Sequence, residues 1–260
     1  MYNLKDFFGI LNDYAPIEIS HKMIERGDYD NSGILVKCND SVDKVLFSLD
    51  LSKESVKQAI ALGCDTIVTH HPAIYNPIKS LSVDGETAPV TLAVMHNINV
   101  ISMHLNLDMA SDGIDCNLAK ALGGNNHKIL DYIDETHGYG REFVLSTTLT
   151  ELVDKIKAKL GTDKVICYGD KKVETVATFC GGGASHALEF VASGRTTADT
   201  VITSDMPHHV LKELIELGKN VIIIPHYASE DYGFNAFYLA IKNSVENKIE
   251  TYYFEDRRFK

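Results

Sequence analysis

Six side chains stand where they could do metal chemistry together. His70-His71-Pro72 follows the β-branched run TIVT; His104-Leu105-Asn106-Leu107-Asp108 follows NVISM; Pro225-His226-Tyr227-Ala228-Ser229-Glu230 follows NVIII. Neutral imidazole is the commonest side-chain ligand for transition-metal cations, and a nearby carboxylate can bridge two of them. Four imidazoles and two carboxylates exceed what one tetrahedral ion takes. His70, His71, His104, Asp108, His226 and Glu230 therefore suit two divalent cations with coordination positions left for water. Zn, Mn, Fe and Ni all accept such donors, and the sequence does not choose among them. The chemistry of such a pair is hydrolytic: two cations sharing a water lower its pKa and polarise the bond under attack. A single strand-end histidine is more often an ordinary hydrogen-bonded residue; three at equivalent points carry the expectation. The H-x-x-x-D run from His104 is expected to be non-helical.

The elements that must position these groups alternate in period. KVLFSLDL (44–51), TIVT (66–69) and NVISM (99–103) read as buried strands. Between them, KESVKQAIALG has Val56, Ile60 and Leu62 as the apolar face of a helix ending at Gly63, and TAPVTLAVMHN reads as a second helix. Asp112 is placed to cap a helix through Leu118 to Leu122 that Gly123 and Gly124 would stop. A polar, glycine-bounded stretch, NNHKILDYIDETHGYG, then suggests a domain boundary. Beyond it the strands EFVLSTT, DKVICYG, ETVATFC, DTVIT and NVIII alternate with helices over 152–160, ASHALEFVASG and 211–217. A last helix carries Phe234, Phe237, Tyr238 and Ile241, and IETYYF closes the chain as an edge or partner strand. The pattern predicts an α/β protein of two intertwined three-layer units with mostly parallel sheets: residues 1–124 plus 218–260, carrying most of the metal ligands, and residues 125–217. In such sheets ligands bind at the carboxyl ends of the strands, which is where the histidines fall.

Composition narrows the class. With 25 Lys and Arg against 36 Asp and Glu, the formal net charge is −11, which disfavours nucleic acid as a default partner. An anionic small molecule is still admissible, because two divalent cations would add positive charge locally. The five cysteines are scattered without a C-x-x-C, fitting a reduced, cytoplasmic setting. No apolar stretch approaches a membrane span, and the start MYNLKDFFGI lacks the layout of a signal peptide.

Other features are weighed against plainer readings. Gly181-Gly182-Gly183-Ala184-Ser185 after a strand could present backbone N–H groups to a phosphate or simply form a tight turn. His208 and His209 are candidate general acid or base groups, or surface helix residues. Asp50 could orient a metal-bound histidine or cap the following helix. Arg141 and Arg195 are candidate phosphate contacts, Cys180 reads as a packed thiol, and the aromatic stripe of the last helix as core.

The runs YDNSGILV, KVLFSLDLS, DTIVTHHPAIY, HLNLDMASDGIDCNLAKALG, GYGREF, CGGGAS, ITSDMPHH and HYASE together resemble the Nif-three-like dinuclear metal family, often labelled GTP cyclohydrolase 1 type 2-like. The likeness runs from about Asn3 to beyond Phe237. It implies a metal pair held by the same six residues, a homohexameric ring with the metal sites facing an internal cavity, and the short form of the family without an inserted domain. It also implies hydrolysis of GTP, with metal-bound hydroxide attacking C8 of the guanine ring and formate released. A non-catalytic metal-binding assembly or regulatory protein, and a metal-dependent phosphoesterase acting on a small nucleotide, are the alternatives. The chain departs from the family pattern at Tyr29, where Trp is usual, at Thr203-Ser204-Asp205 and at Pro225.

Overall fold

The computed structural model describes residues 2–245 and 248–260. The chain divides into two units, Met1–Ala110 with Phe234–Asp256, and Ser111–Gly233 with Arg257–Lys260. The expected boundaries at 124 and 218 therefore move. The Ile114–Leu122 helix packs on the Gly138–Thr147 and Val173–Thr178 strands, and the Asn220–Ile223 strand pairs with Thr200–Thr203. Both segments thus belong to the second unit, and so do His226 and Glu230. The first unit keeps the other four candidate ligands.

In the first unit a five-stranded sheet runs in the order Glu250–Phe254, Lys44–Ser48, Thr66–Thr69, Asn99–Ser102, Gly33–Val36. The first four strands are mutually parallel and the last is antiparallel. Both faces are covered, which is why these strands read as unbroken apolar runs. Leu46, Ile67 and Val100 pack with Val56, Ala59, Val90 and Ala93 from two helices, Lys53–Leu62 and Ala88–Met95. On the opposite face Phe47 meets Phe234, Phe237 and Tyr238 of the His226–Ser244 helix, with ring centroids 6.4, 6.0 and 5.3 Å away. The Lys53–Leu62 helix opens on a capping box between Ser52 and Ser55 and stops at Gly63, whose φ of 69° is left-handed. Its buried positions are Ser55, Val56 and Ala59, so Ile60, expected on the apolar face, lies at the margin of the buried stripe and is exposed, while Leu62 is partly buried against the core.

Register sets up the functional rim. Ser48, Thr69 and Ser102 lie side by side across three adjacent strands, with Gly33 opposite Ser102. The residues that follow the parallel strands therefore emerge at one edge. Since the Gly33–Val36 strand is antiparallel, the residues preceding it emerge there too.

The second unit holds a six-stranded sheet ordered Lys128–Tyr132, Gly138–Thr147, Val173–Thr178, Thr200–Thr203, Asn220–Ile223, Ile166–Tyr168. Its three central strands are parallel and antiparallel strands flank them on both sides. Helices Ala184–Ala192 and His208–Glu216 pack together on the central strands, while Ile114–Leu122 contacts Leu149–Leu160, Gly138–Thr147 and Val173–Thr178. The polar stretch expected as a boundary loop is a β-hairpin, with Asp131 opposite Tyr139. Its Lys128–Tyr132 strand is exposed at both ends and half-buried at Ile129, Leu130 and Asp131, so no fully buried apolar run marks it. Asp112 does not cap the following helix: Gly113 occupies that position without a side-chain cap, and the Asp112 carboxylate pairs with Lys120 instead.

Candidate metal centre

Backbone and side-chain hydrogen bonds fix the rim of the first unit before any ligand is considered. The N–H groups of His70 and His71 both donate to the Leu49 carbonyl, at 3.1 and 3.0 Å. The Thr69 hydroxyl donates to the His71 carbonyl at 2.9 Å and lies 2.7 Å from Ser102 Oγ. The Ala73 N–H is held by Ser102 Oγ. Adjacent histidines in extended chain would point to opposite faces; here the turn swings both rings to one side, their centroids 4.8 Å apart. The His104 ring lies 5.2 Å from His70 and 5.9 Å from His71. One ligating nitrogen from each of the three comes within 4.8 Å of the others.

Each ring is oriented through Nδ1. His70 Nδ1 lies 2.8 Å from the Met103 carbonyl, His71 Nδ1 2.7 Å from Asp50 Oδ1, and His104 Nδ1 2.7 Å from Asp30 Oδ1. A carbonyl or carboxylate can only accept, so Nδ1 carries the proton and a neutral ring presents its lone pair at Nε2. That is the usual arrangement of a metal-ligating histidine. Burial pushes the Asp30 carboxyl upward, but hydrogen bonds from His104, Ser20 and Ser32 and the nearby imidazole outweigh it and hold the group below the usual carboxylate range. Asp108 joins the cluster by a helical turn, against the non-helical run expected from sequence. Residues Leu105–Met109 are helical, the Asp108 N–H donates to the His104 carbonyl at 2.9 Å, and Asp108 Oδ1 lies 3.5 Å from His70 Nε2. Asn106 makes this turn, its backbone N–H donating to Ser20 Oγ and its side chain to the Ala15 carbonyl.

The second unit carries the other pair. His226 opens its helix, so H-x-x-x-E becomes an i, i+4 pair with His226 Nε2 3.0 Å from Glu230 Oε1. Two donors each about 2.1 Å from one cation have a similar separation. His226 Nδ1 lies 2.5 Å from Asp205 Oδ2. Asp205 follows the Thr200–Thr203 strand with a left-handed φ of 45°, one of only two described non-glycine residues so placed. Such backbone positions concentrate at functional sites. Gly181 sits behind Glu230: its N–H donates to Ser229 Oγ at 3.0 Å, its φ is +56°, and a Cβ there would overlap Glu230 Oε1 and lie 3.4 Å from His226 Nε2.

The remaining candidates separate. Asp50 serves His71, whereas Ser52 caps the helix. Arg141 is not a surface phosphate contact: it is buried, and its Nη1 donates to Asp115 Oδ2 at 3.0 Å and to the Gly138 and Gly140 carbonyls. Burial pushes the Asp115 carboxyl up to about 6, with Arg141 and two backbone N–H groups only partly offsetting it. Arg195 is paired with Glu189 and lies over the Phe190 ring at 3.7 Å. Cys180 is packed, and Gly181–Gly183 form a tight turn into the Ala184–Ala192 helix. His208 and His209 are exposed in the first turn of their helix, three and four residues after Asp205. Sequence reasoning missed Asp30, Asp205 and the Met103 carbonyl as imidazole partners. The antiparallel edge strand could have pointed to Asp30 had its direction been legible.

Fold and site define a class: a two-unit α/β protein whose strand ends carry buried and half-buried histidine and carboxylate donors able to hold a metal ion. The chain belongs to the Duf34/NIF3 (NGG1p interacting factor 3) family, whose sequence profile matches residues 2–258. It is 29% identical over 235 residues to a GTP cyclohydrolase 1 type 2 homolog of Clostridium perfringens, covering 87% of this chain and 86% of that one. A protein of the same name from Clostridium acetobutylicum is 30% identical over 236 residues, covering 87% and 85%. The crystal structure of a Bacillus cereus protein related to NIF3 superposes with a TM-score of 0.88 over 98% of this chain and 97% of that one, at 18% identity, which shows the shared fold. Among the described residues, no helix is long and apolar enough to cross a membrane.

Proposed function

We infer that the two donor sets serve one dinuclear metal centre and that the protein is a metal-dependent hydrolase, with ring-opening hydrolysis of GTP as the first reaction to test. The observation that carries this reading is the common orientation of four imidazoles, each with an oxygen at Nδ1 and Nε2 turned to the candidate ligand side. Donor number supports joining the sets: four imidazoles and two carboxylates exceed what one tetrahedral ion takes.

Bound there, two divalent cations would supply Lewis acidity and an acidified water. The chain's own residues have separate tasks. Asp30, Asp50 and Asp205 keep three imidazoles in the ligating tautomer and raise their basicity. Asp108 and Glu230 neutralise part of the cationic charge. His208 and His209, exposed and close in sequence to Asp205, are the groups proposed to move protons to and from the substrate. An anionic nucleotide substrate belongs to the same proposal, supported by the names of the relatives; a homohexameric ring and a cytoplasmic setting complete it as the expectations drawn from the sequence. The test is formate release from GTP by protein reconstituted separately with Zn, Mn, Fe(II) and Ni, beside a phosphoester panel. The double variant His104→Ala/Asp108→Ala should lose both metal and turnover. No turnover with any metal, together with hexamers that dissociate on chelation, would establish the non-catalytic assembly reading instead.

A further inference from the structure

Next to the histidines of the first unit, two tyrosines are unusually placed. Tyr29 and Tyr75 are 50% and 46% exposed, yet the Tyr29 ring is anchored through its hydroxyl and the backbone that carries Tyr75 is held at two carbonyls. Their rings meet edge-on with centroids 4.8 Å apart, the Tyr29 hydroxyl donates to the Tyr75 carbonyl at 2.5 Å, and the Asn31 side chain donates to the Ile74 carbonyl at 2.6 Å. Tyr75 in turn stands perpendicular to the His104 ring at 6.5 Å. The three rings thus form a series from solvent to a candidate ligand. Tyr75 also lines a cleft of about 450 Å³, whose walls include Pro77, Lys79, Glu86 and Thr87. That volume lies in the ~300–1,000 Å³ range of small-ligand sites.

Exposed aromatic rings normally lose rotamer freedom when a ligand covers them; a ring already anchored through its hydroxyl, as Tyr29 is, loses less, and Tyr75 packs edge-on against it. Their faces can stack on any planar heterocycle, and such stacking does not depend on base identity. Lys79, exposed on the same cleft, offers a cation to an anionic substituent of that ring system. We propose that Tyr29, Tyr75 and the cleft beside them form a subsite for the planar base of a nucleotide, holding it next to the metal centre while Lys79 meets its phosphate. The proposal deepens the hydrolase reading and rests on it for the identity of the neighbouring site.

The chain has no tryptophan, so Tyr29→Trp installs a single reporter on the platform while keeping an aromatic face. Metal-loaded Tyr29→Trp protein is titrated with GMP and, separately, with ribose 5-phosphate, reading indole emission. Saturable quenching by GMP and none by ribose 5-phosphate is expected. Adding Tyr75→Leu, which keeps apolar volume but removes the ring, should raise the GMP dissociation constant about tenfold or more, with metal content and melting temperature unchanged. Equal quenching by both probes, no saturable response, or an unchanged dissociation constant in the double variant would overturn the subsite. GTP turnover is measured on the same wild-type preparation. Turnover without GMP quenching sinks the subsite alone, and quenching without turnover sinks the hydrolase reading alone.

Discussion

Three consecutive glycines give the sharpest test of how the second unit holds its ligands, because alanine at each meets different surroundings. At Gly181 the backbone is left-handed, which costs an L-residue roughly 1–2 kcal/mol. The new Cβ would also overlap Glu230 Oε1 and reach van der Waals contact with His226 Nε2 at 3.4 Å. Glu230 is 2% exposed and cannot swing into solvent, so relief must come from displacing a candidate ligand. Gly181→Ala should therefore lose roughly 1–2 kcal/mol of stability and weaken metal binding by ~10–100-fold, the range found when ligand orientation is disturbed. At Gly182 the nearest atom is Asp205 Oδ2 at 4.0 Å and φ is not left-handed, so alanine should change stability by no more than about 0.5 kcal/mol and leave metal affinity alone. At Gly183 the Cβ would meet Phe179 Cβ and Tyr139 Oη, both at 2.5 Å, an overpacking of about 1–3 kcal/mol that touches no ligand. Urea melts of the metal-free variants and competition against a chromophoric chelator separate the two effects. If Gly181→Ala and Gly182→Ala bind metal equally well, the reasoning from Glu230 packing is refuted. It is equally refuted if Gly183→Ala alone releases the metal.

Further outcomes concern the imidazole partners and the buried carboxyl. Asp30→Asn retains an acceptor for His104 Nδ1 but removes the charge, and metal affinity should fall about tenfold; Asp30→Ala removes that acceptor and the one for the Ser32 hydroxyl, and the loss should approach ~100-fold by the same titration. Asp115 behaves oppositely to an exposed carboxylate. Its folded pKa, about 6, lies above the ordinary 3.8, so its contribution to stability is fully present below that lower value and is lost as pH rises toward 6. From pH 4.5 to 6.5 the wild type should lose about 2 kcal/mol that Asp115→Asn does not. Parallel urea-melt slopes for the two proteins over that range would contradict it.

The ligands were more legible in the sequence than the partners that aim them. Three β-branched runs, each followed by histidine, betray the strands, because parallel strands bury both faces; the first two are neighbours in one sheet and deliver the residues after them to one edge, while the third belongs to the sheet of the second unit. Asp30 reaches that edge by a different route, ahead of an antiparallel strand, and no local pattern states strand direction. Asp205 aims His226 from the end of a neighbouring strand, a pairing set by register rather than by spacing. Ile60 misled because helical period marks an apolar stripe without saying where its buried part stops: the buried positions are Ser55, Val56 and Ala59. Arg141, a charged residue in a glycine-rich context, suggested a surface, whereas the fold buries it against Asp115. The Lys128–Tyr132 strand escaped notice because its apolar pair, Ile129 and Leu130, is only half-buried and is flanked by Lys128 and Asp131, so no buried run marks it.

The most direct test of the central claim is the metal stoichiometry of the protein. Chain stripped by chelator and dialysed against a divalent cation should recover two ions per chain by elemental analysis, with a rise in melting temperature. His104→Ala/Asp108→Ala should fall toward zero while keeping wild-type secondary structure. Two full equivalents retained in that variant, or none taken up by the wild type with any of Zn, Mn, Fe(II) or Ni, would contradict a dinuclear centre built from these residues.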